Sequence, residues 1–320
     1  MSKRVATVTF NPAYDLEGRI PHLERGELNL VNTISMHAAG KGINVAKILR
    51  DLNIDVTVFG FLGKKNQDGF LCLFKKKGII NCFNLVNGYT RTNIKLTECN
   101  GELTEINFSG FKVTTQEWES FFTKSRIIFN QFDILCISGS LPDGIDLSAF
   151  AYWMKQARKY CPCIVFDSSH ETFIAGLTAK PYLIKPNRWE LETYIGHSLP
   201  TKEDVINSAQ ILRGKGVEHV VISMGAEGAI LVNSNGVWIS KPPCCDVIST
   251  VGAGDSMVGG LIYGLLMNES SEYILRLATA ISALSVNHSS VGVTNHAQLS
   301  TMMKRVDLYP YSTLSSGDIL

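Results

Sequence analysis

Residues 249–257 read STVGAGDSM, a glycine-containing loop that leads into a predicted helix. The apolar residues that follow have the spacing of one buried helical face: Met257, Val258, Leu261, Ile262, Leu265 and Leu266. The first amides of a helix have no intrahelical partners, so the N–H groups of Gly252, Ala253 and Gly254 suit an anion such as a phosphate. Asp255 stands beside them, placed to accept a proton from a hydroxyl that attacks the phosphate. Considered alone, the motif is equally well explained as a glycine-rich turn with an aspartate near the helix start.

Length, charge and hydropathy limit the possible functions. The chain has 320 residues, enough for a large core, and a formal net charge of +1 at pH 7. This balance creates no global field for nucleic acid or an anionic membrane, so local charges must hold any anion. We find neither a signal peptide nor an apolar run of about 18 residues. The sequence therefore predicts a cytoplasmic protein without nucleic-acid or membrane partners.

The eight cysteines and seven histidines raise the question of a metal site or disulfides. The cysteines include no C-x-x-C pair, and the histidines are scattered without an H-E-x-x-H motif. We therefore predict reduced structural thiols and no metal site built from histidine or cysteine.

Apolar strand-like runs alternate with helical stripes along most of the chain. Strands are predicted at Val5–Phe10, Val56–Phe61, Ile134–Ser138, Ile164–Asp167, Tyr182–Lys185, His219–Met224 and Ala229–Val232. Helices are predicted at Ile43–Leu52, Gln67–Lys77, Leu147–Tyr160, Arg188–Ile195 and Lys202–Lys215. This alternation predicts an α/β fold with a largely parallel sheet that is covered on both faces.

Two stretches, at about residues 13–37 and 88–110, instead show short alternating strands. The dipeptide Asn100-Gly101 in the second stretch is typical of a hairpin turn. We therefore predict one domain over residues 1–320, with a small β-sheet projecting from it as a lid. The tail from Tyr309 to Leu320 has neither a helical nor a strand pattern.

A second glycine-containing loop opens another predicted helix, where residues 38–49 read AAGKGINVAKIL. Lys41 offers a point charge to an anion, and Asn44 on the first helical turn offers hydrogen bonds to hydroxyl groups. A plain helix start with a solvent-exposed lysine explains these residues as well when they are considered alone.

Two common nucleotide-binding motifs are excluded. None of the Gly-Lys pairs, at 40–41, 63–64 and 214–215, is followed by Ser or Thr, so there is no P-loop. The segment Gly252-Ala253-Gly254 comes late in the chain and lacks the third glycine of a dinucleotide fingerprint. A dehydrogenase is therefore disfavoured.

Taken together, the two loops resemble the signatures of the PfkB (ribokinase-like) family of sugar kinases, a GGKGxNxA-type loop early in the chain and a T-x-GAGD-type loop near its end. Further family landmarks follow in order: residues 11–15 (NPAYD), 90–93 (TRTN), 138–142 (SGSLP), 185–191 (KPNRWEL) and 223–228 (SMGAEG). The chain departs from the pattern at Ala39, where the first glycine is usual, and at Ser249, where many relatives have an acidic residue.

The resemblance implies a ribokinase-like three-layer α/β/α fold, with a mostly parallel central sheet and a small lid sheet. It also implies phosphoryl transfer from ATP with Mg²⁺, and the motifs are most similar to the branch that phosphorylates sugar phosphates. The expected reaction is phosphorylation of D-fructose 1-phosphate at O6, with tagatose 6-phosphate or fructose 6-phosphate as alternative substrates. A catalytically silent sensor of sugar phosphates is a further alternative, which the intact Asp255 disfavours.

The resemblance also implies roles for individual residues. Asp255 is the expected catalytic base, beside an anion hole of the amides of Gly252, Ala253 and Gly254. The expected substrate-binding residues are Asp15, Gly40, Lys41, Asn44, Arg91 and Ser140, with Lys41 and Arg91 for the substrate's own phosphate. The expected ATP-binding residues are Lys185, Asn187, Ser223, Gly225, Ala226, Glu227, Gly228 and Thr250. Glu190 is expected to hold Mg²⁺ through water, unless it only caps its helix. Related enzymes pair through their lid strands, so a homodimer is expected.

Overall fold

The computed structural model describes residues 3–245, 247–287, 291–293 and 295–311. Its strands, in chain order, are β1 Arg4–Thr9, β2 Ala13–Ile20, β3 Asn32–Ala39, β4 Asp55–Gly63, β5 Ile80–Val86, β6 Arg91–Glu98, β7 Leu103–Asn107, β8 Ile134–Ser138, β9 Ile164–Asp167, β10 Leu183–Ile184, β11 His219–Ser223, β12 Ala229–Asn233, β13 Gly236–Lys241 and β14 Asp307–Pro310. Its α-helices are α1 Lys41–Asp51, α2 Asp68–Lys77, α3 Thr115–Ile128, α4 Leu147–Tyr160, α5 His170–Leu177, α6 Arg188–Ile195, α7 Lys202–Gly214, α8 Ala253–Leu266, α9 Ser271–Val286 and α10 His296–Arg305.

A ten-stranded sheet forms the centre of the molecule, in the order β14-β13-β12-β11-β10-β9-β8-β1-β4-β5. The strands from β5 to β11 in this order pair in parallel, whereas β12, β13 and β14 pair antiparallel at one end. The parallel strands are almost continuously apolar because helices cover both of their faces. The prediction of a largely parallel sheet is confirmed.

The helices form two layers around this sheet. Neighbouring residues of β1 show the division, because Val5 packs with α1, α2, α8 and α9, whereas Ala6 and Val8 pack with α3 to α7. Helix α10 packs against α9 and the outer side of α1. The predicted three-layer α/β/α architecture is therefore confirmed. Among the described residues, no helix has the length and hydropathy needed to cross a bilayer.

A separate four-stranded sheet, in the order β3-β2-β6-β7, forms the lid. Strands β6 and β7 are a hairpin whose turn contains Gly101, with φ of 89° and its amide bonded to the carbonyl of Glu98. The Asn-Gly dipeptide supplies this left-handed conformation without strain. Strand β2 pairs with both β3 and β6, which puts Asp15 opposite His37 and Asn93.

Several elements escaped prediction. Helix α3 begins with a capping box at Thr114 and Glu117, a local signal that the apolar pattern did not reveal. The prediction that the tail lacks strand structure from Tyr309 onward is wrong for its first residues, because Tyr309 pairs with Ile239 in β13. A four-residue edge strand carries too little alternation to be recognised. The rest of that tail, residues 312–320, lies outside the described residues.

Candidate active site

The two glycine-containing loops meet in one cleft. Asn44 Nδ2 on the first turn of α1 donates a hydrogen bond of 2.8 Å to Asp255 Oδ2 on the first turn of α8. Asp255 is only 7% exposed and Asn44 6%. The structure therefore places the two motifs, whose contacting residues are 211 positions apart in the sequence, in direct contact.

The start of α8 presents backbone amides to this cleft. Gly252 has φ of 75°, a left-handed conformation that glycine adopts readily. Ser256 N–H donates to the Gly252 carbonyl, and Ala253 N–H makes a longer bond of 3.3 Å to the Thr250 carbonyl. Within the described chain, the amides of Gly252 and Gly254 have no hydrogen-bond partner. The positive end of the helix is thus open to an anion.

Two lysines stand near the amides around a buried aspartate. Lys185 Nζ lies 3.5 Å from the position that a Cβ on Gly254 would take. The same ammonium is 3.4 Å from Asp167 Oδ1, and Lys41 Nζ is 3.2 Å from Asp167 Oδ2. Asp167 is 2% exposed and ends β9. Sequence reasoning missed it, although its place at the carboxyl end of a buried parallel strand is a recognisable signal.

The ionisation of the two aspartates differs. Burial raises the pKa of Asp255, and the nearby Lys41 charge and the Asn44 hydrogen bond only partly oppose this. Burial also acts to raise the pKa of Asp167, but Lys185 and Lys41 outweigh it and hold that pKa below its usual value. Asp255 is thus the better proton acceptor, while Asp167 stays ionised and fixes the two lysines.

The lid supplies the opposite wall of the cleft. Asp15 Oδ2 accepts a bond of 2.7 Å from Lys95 Nζ, and Asp15 Oδ1 accepts one of 3.3 Å from Asn93 Nδ2. Sequence reasoning also missed Lys95 and Asn93, since their alternation on β6 resembles that of any lid strand. Arg91 starts β6 and donates from Nη2 to the Asn11 carbonyl at 3.3 Å, while its buried Nε has no described partner.

Two other predicted substrate residues lie beside the end of β1. Asn11 Nδ2 donates to Ser140 Oγ at 3.2 Å. Gly40 has φ of 143°, and a Cβ there would lie 3.0 Å from Thr9 Cγ2 and 3.3 Å from Pro12 Cα. The chain therefore needs glycine at position 40 for both its conformation and its close approach to β1.

The predicted nucleotide residues form a neighbouring group. Asn187 caps α6, because its Oδ1 accepts from Glu190 N–H at 2.7 Å and Glu190 Oε2 accepts from Asn187 N–H at 2.8 Å. Asn187 also lies beside Ser223 across a parallel bridge. After Ser223, residues Gly225–Glu227 form one turn of 3₁₀ helix, where Ala226 sits. At its end Gly228 has φ of 95°.

Glu227 makes an exposed ion pair with Arg188, with Oε1 3.2 Å from Nη1 and the carboxylate side chain 54% exposed. Thr250 precedes Gly252, the N-cap of α8, by two residues, and its carbonyl accepts from Ala253 N–H.

The donor set limits how Mg²⁺ fits here. The described residues contain no group of three His, Cys, Asp or Glu side chains arranged to hold a metal ion. Glu190 is 9% exposed, and one of its carboxylate oxygens is occupied by the cap. Mg²⁺ commonly keeps its waters and is held largely by substrate phosphates. Glu190 therefore fits a contact through water but not a site made of protein ligands alone.

Comparison with known proteins gives a consistent result. The model of the pfkB family carbohydrate kinases matches residues 8–298. The chain is 62% identical over 312 residues to 1-phosphofructokinase of Escherichia coli strain K12, covering 98% of this chain and 100% of that protein. It is 45% identical over 305 residues to 1-phosphofructokinase of Haemophilus influenzae, covering 95% and 97%. The crystal structure of phosphofructokinase-2 from Escherichia coli in complex with substrates and products matches with a TM-score of 0.87 and 27% identity, covering 94% and 98%.

Proposed function

The chain belongs to the pfkB family of carbohydrate kinases, and we propose that it transfers the γ-phosphoryl group of ATP to O6 of D-fructose 1-phosphate. The products are fructose 1,6-bisphosphate and ADP. The observation that carries the proposal is the buried Asp255, bonded to Asn44 at 2.8 Å beside the open amides of α8. The choice of fructose 1-phosphate is supported by the relatives named 1-phosphofructokinase.

Asp255 is the base of the proposed reaction. Its carboxylate accepts the proton of the O6 hydroxyl as O6 forms a bond to the γ-phosphorus. The bond from that phosphorus to the oxygen bridging the β-phosphate breaks, and its electron pair leaves with ADP. The raised pKa of Asp255 makes the carboxylate a stronger base than an exposed aspartate.

The charge on the migrating phosphoryl group is stabilised by groups fixed in advance. The amides of Gly252 and Gly254 face it, and Ala253 N–H joins them by releasing its long bond to Thr250. Lys185 lies beside Gly254, and both Lys185 and Lys41 form ion pairs with Asp167. We therefore assign Lys41 to the transferring group, which differs from its expected role at the substrate's own phosphate. Such preorganised donors in a water-poor site are commonly the largest catalytic contribution.

The sugar lies between α1 and the lid in this proposal. Asp15 and Asn44 bond its hydroxyl groups, with Ser140 nearby, and Gly40 allows its close approach to the backbone. Arg91 binds the phosphate that the substrate already carries, since most of its guanidinium donors have no described partner.

ATP lies along the ends of β10 and β11. Lys185, Asn187, Ser223, Thr250 and the turn from Gly225 to Gly228 are its proposed contacts. When bound, Mg²⁺ would neutralise charge on the ATP phosphates, with Glu190 orienting one of its waters.

The lid sheet supports the proposal of a homodimer. Paired side chains on the face opposite Asp15 form an apolar row of Met36, Leu16, Ile94 and Ile106. Met36 is 60% exposed and Ile106 42%, and the nearby loop exposes Leu28 and Leu30. An exposed apolar face between two edge strands, here β3 and β7, is typical of an interface. A cytoplasmic location belongs to the same proposal, supported by eight free cysteines.

A substrate panel tests the proposed function. We expect ADP release with ATP to show the highest kcat/KM for fructose 1-phosphate, measured against fructose 6-phosphate and tagatose 6-phosphate in a coupled assay. A preference for tagatose 6-phosphate would replace the proposed substrate. Absence of ADP release with all three would favour a sensor of sugar phosphates.

A further inference from the structure

Lys47 is a buried cation without a described partner. It lies on α1 and is 7% exposed, yet it forms no hydrogen bond or ion pair with any residue that the structure describes. Burying an ammonium group without a partner is costly, so buried lysines are rarely left in this state. The position therefore calls for an explanation beyond packing.

The position of Lys47 on the helix relates it to the substrate cleft. Lys47 follows Asn44 by three residues, so both lie on the same side of α1. Helical side chains lean toward the helix N-terminus, which for α1 is the end at Gly40. Burial and the Lys77 charge lower the pKa of Lys47, whereas the carboxylates of Asp51, Asp255 and Asp15 favour its charged form.

None of these carboxylates is available as a dedicated partner. Asp51 is paired with Lys77 at 2.6 Å and also accepts from Val293 N–H. Asp255 bonds to Asn44, and Asp15 bonds to Lys95 and Asn93.

The lid adds two more buried or half-buried cations to the same region. Lys95 is 8% exposed and bonds to Asp15, and Arg91 precedes it by four residues on the same face of β6. Burial lowers the pKa of Arg91, and the Asp15 carboxylate acts to raise it. Glu17, opposite Lys95 in the sheet, is half-buried and accepts a bond from Ser35 Oγ at 3.3 Å.

Three cations, Lys47, Lys95 and Arg91, thus share this region with the carboxylates of Asp15 and Glu17. His37 lies opposite Asp15 on β3 and adds no charge at neutral pH, because burial and the Lys47 charge lower its pKa. A sugar phosphate carries about −1.5 to −2 charge near pH 7 and has strong acceptor oxygens, by analogy with phosphorylated side chains. Its phosphate would supply a partner that the described residues do not offer to Lys47.

We propose that Lys47 and Lys95 form, together with Arg91, a cationic pocket for the phosphate that the sugar substrate already carries. The proposal deepens the function given above and rests on a sugar phosphate being the substrate. Lys47 is reserved for this phosphate, whereas Lys95 divides its donors between the phosphate and Asp15. Both lysines therefore determine the preference for phosphorylated over free sugars.

The two lysines have different effects on stability, which provides a readout that packing alone does not predict. Lys47→Met removes an unpartnered buried charge at nearly constant length, so the free enzyme becomes more stable. Lys95→Met leaves Asp15 buried without its ion partner, so the free enzyme becomes less stable. A merely structural role for Lys47 predicts a loss of stability instead.

The test compares Lys47→Met and Lys95→Met with the wild type and with Lys124→Met, an exposed control on α3. For each protein we would measure the KM for fructose 1-phosphate, the KM for ATP, the inhibition constant of inorganic phosphate against the sugar phosphate, and the Tm. For Lys47→Met we expect the KM for fructose 1-phosphate and the inhibition constant of phosphate each to rise about 10- to 100-fold. This is the loss of affinity expected when one hydrogen bond to a charged group is removed. The KM for ATP should stay within about twofold, as for a lost contact to one substrate only, and the Tm should rise.

Two results would overturn the proposal. One is a Lys47→Met enzyme whose KM for fructose 1-phosphate and phosphate inhibition both match the wild type. The other is a parallel rise in both KM values with a lower Tm, which indicates a structural role. If the wild type phosphorylates none of the three sugar phosphates, the proposed function fails by itself. The shift in Tm caused by inorganic phosphate, in the wild type and in Lys47→Met, then still decides whether the pocket exists.

Discussion

At the residue scale, the catalytic assignment depends on two buried aspartates with opposite pKa shifts. Both lose hydration, but Asp167 has two ammonium groups within 3.4 Å, whereas Asp255 has the neutral amide of Asn44 as its hydrogen-bond partner. The pKa of Asp255 is consequently raised and that of Asp167 lowered. In the proposed reaction these two carboxylates take separate roles, Asp255 as proton acceptor and Asp167 as an anchor for cations.

The first prediction concerns the substitution Asp255→Asn. We expect kcat to fall about 10²- to 10⁴-fold, the usual contribution of a general base. The side chain keeps its shape, and its amide oxygen still accepts the Asn44 hydrogen bond, so KM values should change little. A coupled ADP assay measures the effect, with the exposed Asp143→Asn as control. Retention of more than about a tenth of wild-type kcat contradicts the role of base.

The same residue gives a pH dependence. Burial raises the folded-state pKa of Asp255 above the ordinary value of an aspartate, so wild-type kcat should fall as the pH drops through that raised pKa. The ionised form is unfavourable in the fold, so Asp255→Asn should stabilise the protein at pH 7. This advantage should shrink as the pH falls and Asp255 becomes protonated. Urea denaturation of both proteins at pH 7 and at about pH 4.5 measures the difference, and an advantage that grows on acidification would contradict it.

At the element scale, the position of Asp255 depends on how closely α8 approaches its neighbours. A Cβ on Gly259 would lie 2.5 Å from Ile48 Cγ2 of α1, and one on Gly260 would lie 2.7 Å from the Ala278 Cα of α9. The Ala278 Cα is a backbone atom, so it cannot move aside by a side-chain rotation as Ile48 Cγ2 can. Glycines in the helix interior cost helix propensity, but here they hold the amino end of α8 against Asn44.

We therefore predict that Gly260→Ala loosens the contact between α8 and α9. The expected loss of stability is about 1–3 kcal/mol, the usual cost of overpacking, and kcat should fall because Asp255 moves with the helix. The control is Gly214→Ala, at the exposed end of α7, where a Cβ meets nothing within 4 Å. This control should gain about 0.4–1 kcal/mol. Equal urea midpoints for the two variants would contradict the argument.

At the scale of the whole molecule, the lid has two faces with different chemistry. Asp15, Asn93 and His37 share one face, and the apolar row of Met36, Leu16, Ile94 and Ile106 forms the other. Because side chains alternate along each strand, a sheet only one layer thick cannot bury both faces by itself. In the proposed homodimer, a second copy of the chain covers this apolar row.

The corresponding prediction uses charged substitutions in the apolar row. The double substitution Met36→Asp and Ile106→Asp should convert a dimer into the 35.2 kDa monomer, because it would bury charges without partners in the interface. Light scattering coupled to size-exclusion chromatography measures the mass. Ile127→Asp is the matched control, since this residue is 69% exposed and lies on α3 rather than in the lid sheet. A wild-type protein that is monomeric at micromolar concentration contradicts the prediction.

The sequence alone determined those features that local pattern encodes. Apolar runs and helical stripes predicted most strands of the parallel sheet, and the Asn100-Gly101 dipeptide predicted the lid hairpin. The loop from Gly252 to Asp255 and the loop around Lys41 and Asn44 identified the family. These signals are short in range, because backbone conformation and the burial of one face depend on neighbouring residues. The sequence left open whether Asn187 and Glu190 only cap a helix. The structure shows the cap, and the contact to Mg²⁺ stays a proposal.

Tertiary structure alone decided which charges meet. Asp167 is 126 residues from Lys41 in the chain, and Lys95 is 80 residues from Asp15, yet these groups form ion pairs in the fold. No periodicity links positions so far apart, since each pairing arises only where elements distant in the sequence pack side by side. The lack of a partner for Lys47 among the described residues is likewise invisible in the sequence, because it depends on which side chains the surrounding elements bring near it.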